Sequence, residues 1–131
     1  MEQNEQNVLD ILLRSDLPDV RKTLPEKTVE IKRLSKLAGT PVMFTLKALT
    51  YDQVRRIQEY PQEEQAAYGV LYGCVSPQWK DQAFVDASKG IVTPLDAIKA
   101  KLTVGEIDEL HTEIQLLSGY LTRTLQEVKN V

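Results

Sequence analysis

An α+β fold is predicted by three observations in this 131-residue chain. Two segments in its first half alternate apolar and polar residues at the period of a strand. The segments after them repeat apolar residues at helical spacing, and hydroxyl residues three positions ahead of Gln, Asp or Glu mark helix starts. The expected architecture is an N-terminal antiparallel two-stranded β-hairpin followed by, and packed against, about five α-helices.

The chain begins with a polar stretch and then a short apolar cluster at helical spacing, Val8, Leu9, Ile11, Leu12 and Leu13, which predicts a brief helix. Pro18 and Pro25 follow. Each disfavours helical dihedrals in the residue before it, so Ser15 to Pro25 reads as an exposed connector. Residues 1–26 are expected to form this short helix and connector, and residues 27–131 a single α+β domain.

Thr28 to Leu34 carries Val29 and Ile31 on one face, with Glu30 and Lys32 on the other. Val42, Phe44, Leu46 and Ala48 oppose Thr45 and Lys47 in the same way. Between them Ser35 to Pro41 holds Gly39 and Pro41, so a hairpin loop longer than two residues is expected, and Leu34 marks a strand end or a bulge. A hairpin alone is marginal in water, so the Val29/Ile31/Val42/Phe44/Leu46 face requires cover from the helices that follow.

Thr50 with Gln53, Thr93 with Asp96 and Thr103 with Glu106 fit the capping box, and Ser76-Pro77 offers a fourth start with proline at the first helical position. The predicted helices are therefore Tyr51 to Tyr60, Glu63 to Cys74, Pro77 to Ala87, Pro94 to Leu102, and Val104 onward. In the last, Ile107, Leu110, Ile114, Leu117, Leu121, Leu125 and Val128 form one stripe running through Gly119.

The net charge of −3 supplies no electrostatic bias toward nucleic acid or an anionic membrane. The longest apolar run, Gly69 to Val75, falls well short of the ~20 residues of a membrane-spanning helix, and Met1-Glu2-Gln3-Asn4-Glu5 lacks the basic and apolar regions of a secretory signal. The single Cys74 cannot form an internal disulfide and sits in an apolar context. A cytoplasmic location, in a bacterial host, is expected.

The inventory argues against catalysis. His111 is the one histidine and falls beside the apolar stripe, as a rim residue would. Cys74 has no CxxC or histidine partner, so a zinc site would need an all-carboxylate supplement. Glu106, Asp108 and Glu109 suit the positive end of a helix dipole, while Glu59, Glu63 and Glu64 surround Pro61 at a helix junction. The spacing of Gly69 and Gly73 permits close approach of a neighbouring element. Arg55-Arg56 and Lys32-Arg33 are adjacent basic pairs without interleaved aromatics. The reading that competes from another class is a small nucleic-acid-binding regulator using the helix at 51–60, with Arg55 and Arg56 toward phosphates.

Two stretches resemble the XkdN-like family of phage tail assembly chaperones, found in tailed phages and prophages of Gram-positive bacteria. One is Lys32-Arg33-Leu34 through Gly39-Thr40-Pro41-Val42 to Phe44-Thr45-Leu46-Lys47-Ala48-Leu49-Thr50. The other runs from Val75-Ser76-Pro77 through Thr93-Pro94 to Leu102-Thr103-Val104-Gly105-Glu106-Ile107-Asp108-Glu109-Leu110, then Ile114 and Leu117-Ser118-Gly119. The resemblance spans residues 27 to 119. It implies a non-enzymatic role without cofactor or metal: keeping the tape-measure protein soluble and helping tail-tube subunits assemble around it. It implies neither nucleic acid nor membrane as partner and leaves homo-oligomers open.

A tape-measure protein is long and helical, so a chaperone for it should offer apolar surface that can be displaced later. The residues expected to do so are Leu9, Leu12 and Leu13 near one end and Leu121, Leu125 and Val128 near the other.

Overall fold

The computed structural model describes residues 5–129, so the polar start Met1 to Asn4 on which the signal reading rests lies outside the described residues. Six α-helices and one three-stranded antiparallel sheet occur among them. The α+β class is as the sequence predicts. The hairpin is not.

Helix α1 spans Glu5–Leu12, and strand β1 spans Glu26–Glu30, upstream of the predicted Thr28 to Leu34. Lys32–Ala38, expected to end a strand and open a loop, forms helix α2. The physical reason lies in the run Lys-Arg-Leu-Ser-Lys-Leu-Ala, which is mostly good helix formers, with Ile31 still extended at its N-cap. Leu34, read as a strand irregularity, belongs to this helix. Gly39 ends it in the left-handed region at φ 72°, and its N–H donates to the Ser35 carbonyl.

Strand β2, Met43–Lys47, then returns antiparallel to β1 with Val29 opposite Phe44 and Thr28 opposite Thr45. The connection between the two strands is thus a helix rather than a hairpin turn.

Helices α3 (Tyr51–Gln58), α5 (Pro94–Lys101) and α6 (Val104–Leu117) each begin with the predicted capping box, on Thr50, Thr93 and Thr103. Helix α4 spans Gln62–Gly73. Directly after it, Cys74–Ser76 forms β3, which pairs with β2 through an irregularity at Thr45/Leu46. Ser76 is therefore a strand residue and not a helix cap, and the helix expected at Pro77 to Ala87 does not form. In its place Asp81 and Asp86 cap two single 3-10 turns, Gln82–Phe84 and Ala87–Lys89, by accepting from the backbone N–H two residues on.

Helix α6 packs on β2 and α4, and α4 also contacts α3 and α5. The core gathers Ile31, Phe44, Leu46, Ile57, Val70, Ile98, Leu110 and Ile114 from all of these elements. Trp79, from the loop after β3, meets Phe44 edge-on at 5.9 Å and stacks on Phe84 at 5.0 Å. Gly69 and Gly73 face α6, where His111 and Ile114 fill the space a side chain would take.

Helix α6 stops at Leu117. Gly119 takes φ 94° and Leu121 takes φ 65°, so the chain turns away and the expected stripe is cut before its last three members. The Ser118 hydroxyl fixes this end, accepting from the Leu49 N–H at 2.8 Å and donating to the Ile114 carbonyl at 2.7 Å.

Candidate partner-binding surfaces

No described side chain of helix α1 is buried. Val8, Leu9, Ile11, Leu12 and Leu13 are all exposed, Leu13 at 72%. From Tyr120 to Lys129 the described chain forms no helix or strand, and Leu121, Leu125 and Val128 stand in solvent, the last two at 84%. None of the six residues singled out in the sequence joins the core or packs against it, and the structure does not gather the two groups into one packed cluster. Leu121, Leu125 and Val128 keep the i, i+4, i+7 spacing of one helix face, although no helix forms there.

Several titratable groups of the frame have structural employment. Burial pushes the Cys74 thiol up to about 11, so little thiolate exists near neutrality. The Trp79 indole N–H is buried beside it without a nitrogen or oxygen partner among the described residues. His111 is half-buried against Gly69, and desolvation lowers its pKa while Asp108, one turn earlier, opposes the shift. Arg55 stacks over the Tyr51 ring at 4.6 Å and donates to Gln58 at 2.7 Å. Lys99 pairs with Glu64 at 2.9 Å. No group of three or more His, Cys, Asp or Glu side chains poised for a metal occurs among the described residues.

A feature the sequence did not disclose is a groove of about 490 Å³ between β1 and α6. Val29, Ile31 and Leu110 line its apolar part. Two ion pairs cross it. Lys27 meets Glu113, and Arg33 meets Glu106 through two bonds, Nε to Oε2 at 3.0 Å and Nη2 to Oε1 at 2.9 Å. Arg33 Nη2 also donates to the Lys101 carbonyl at 2.8 Å, and its guanidinium holds the Glu106 carboxyl below the usual carboxylate range. These pairs fix the direction of α6, which runs opposite to β1. The partners lie 73 and 86 residues apart in the chain, so no local pattern could have shown them.

Among the described residues no helix is long and apolar enough to cross a membrane. The geometry defines a small α+β protein with apolar side chains held out at both ends and no assembled catalytic constellation among the described residues. Residues 59–131 match the family of phage XkdN-like tail assembly chaperone proteins, and the chain belongs to that family. The match contains the second of the two stretches that carry the resemblance; the first, Lys32 to Thr50, lies before it. A search of curated proteins finds no match. The fold is similar to the crystal structure of the protein YqbN, with a TM-score of 0.56 and 24% identity over 76% of this chain and 91% of that one.

Proposed function

We propose that this tail assembly chaperone works without catalysis, by binding the tape-measure protein and assisting assembly of tail-tube subunits around it. The observation that carries this reading is the solvent exposure of Leu9, Leu12 and Leu13 on one segment and Leu121, Leu125 and Val128 on another, all outside the core. An amphipathic segment without a covered face is suited to docking on a long helical partner and to release when the tube closes. The tail's helical spacing without a helix fits a segment that orders on binding, which favours reversible contact because ordering costs conformational entropy.

The test is co-purification of the tape-measure protein with the intact chain and with a variant lacking residues 122–131. The shortened chain should retain less tape-measure protein, and its circular-dichroism spectrum should stay nearly unchanged because no helix or strand among the described residues is removed. Equal retention would exclude the tail. The same comparison with Leu9→Ser, Leu12→Ser and Leu13→Ser together addresses α1.

A further inference from the structure

We propose that the free edge of β1 receives an extended, cationic segment of a partner protein as a fourth strand of the sheet. This inference stands apart from the reading of α1 and the tail. Strand β1 lies at the edge of the sheet, with β2 on one side only. The Ala48 N–H donates to the Pro25 carbonyl and the Ile31 N–H to the Val42 carbonyl, which sets the parity of the ladder. The backbone groups of 25, 27, 29 and 31 turn toward β2, and those of Glu26, Thr28 and Glu30 turn outward. No other described backbone or side chain bonds to these outward groups, and all three residues are exposed.

An open edge with three residues of unsatisfied donors and acceptors is the template for strand addition. The groove beside it supplies the side-chain pocket: apolar residues of an added strand would meet Val29, Ile31 and Leu110. The charge pattern selects the occupant. On the opposite face Glu26 and Glu30 flank Thr28 and take part in no ion pair among the described residues, whereas Lys27 and Arg33 are already held by Glu113 and Glu106. Residues directly opposite Glu26 and Glu30 are favourable when basic. A second copy of this chain is disfavoured by the same rule, since two-fold pairing centred on Thr28 sets Glu26 against Glu30 twice.

The probe is an end-capped eight-residue peptide alternating lysine and valine, with a glutamate–valine peptide as control, added to the full chain. Fluorescence anisotropy should show saturable binding of the lysine peptide alone, and amide exchange at Glu26, Thr28 and Glu30 should slow. Thr28→Pro deletes one outward N–H and no backbone bond to β2, losing on that side only the 3.4 Å contact between the Thr28 and Thr45 hydroxyls, so it should weaken binding about tenfold or more.

Paired Glu26→Lys and Glu30→Lys substitutions, which touch exposed side chains and leave every backbone group in place, should exchange the preference toward the glutamate peptide. They carry the test if the proline variant fails to fold. Absent saturation, binding indifferent to these substitutions, exchange protection confined to α1 or the tail, or self-association that Thr28→Pro abolishes would each overturn the proposal.

Discussion

Gly69 and Gly73 occupy one face of α4 and meet the same partner helix, yet their substitution has different consequences. A Cβ at Gly73 would stand 2.6–2.9 Å from three side-chain carbons of Ile114, which is fully buried and has nowhere to go. Gly73→Ala should therefore destabilise the fold by about 1–3 kcal/mol, read by chemical denaturation. A Cβ at Gly69 would stand 2.3 Å from His111 Cδ2, but that ring is partly exposed and can swing outward. Gly69→Ala, which also gains about 1 kcal/mol of helix propensity, should be close to neutral and should raise the His111 pKa in an NMR titration by returning the ring to water. In the native chain that pKa lies below its ordinary value near 6.5, so the unfolded state binds the proton more readily. Stability from this group is complete above about pH 6.5 and is lost as pH falls through 6.5 toward the folded pKa. As the chain has one histidine, melting temperature should fall from pH 7 to about 5.5, and His111→Gln should flatten that slope.

At the scale of elements, Glu106 serves two at once. Its carboxylate accepts from the Thr103 N–H at 2.8 Å to close the capping box of α6, and it receives Arg33 from α2. Glu106→Ala should cost about 1–2 kcal/mol, Glu106→Gln less because an amide oxygen can still cap, and Arg33→Ala less than Glu106→Ala because the guanidinium is partly exposed and the cap survives. Thermal melts of the three variants would check that order. Such caps were legible in the sequence because they are local: a threonine and a residue three positions on suffice, and all three boxes formed. What was not legible depended on distant partners. Val29 and Ile31 alternate whether the next residues form a loop or a helix, and Lys32–Ala38 became helical between the two strands. Cys74–Ser76 is three residues long and is a strand because β2 lies beside it. Pro77 offered a helix start that Ser76, held in the sheet, could not cap. Of the candidate surfaces, the apolar ends were visible as patterns, whereas the β1 groove arises only when α6 is laid against the sheet.

For the whole molecule, stability and partner contact occupy different parts of the chain. Every buried apolar residue among those described lies between Ile31 and Ile114, and the bonds that close the frame at its ends are those from Ala48 to Pro25 and from Leu49 to Ser118. We propose that the segment ahead of Pro25 acts as a separate tether, a boundary slightly earlier than the expected residue 26 because Glu26 already pairs with Lys47 in the sheet, and no described residue of α1 belongs to the core cluster. Removing residues 1–24 and 122–131 together should leave a protein that melts in one cooperative transition, with stability changed by no more than about 1 kcal/mol, because no described residue of the core cluster is removed. Pro25 has to stay, since its carbonyl receives the Ala48 N–H at the start of β1. Amide exchange in the intact chain gives a second reading of the same partition: residues 7–24 and 121–129 should exchange near the rate of an unstructured peptide, apart from the hydrogen-bonded turns of α1, while amides of β2, α4 and α6 open only with the global transition. A broad, non-cooperative melt of the shortened chain would mean that the exposed ends contribute to folding. It would also remove the separation that lets the apolar ends be given to a partner without loosening the sheet and helices behind them.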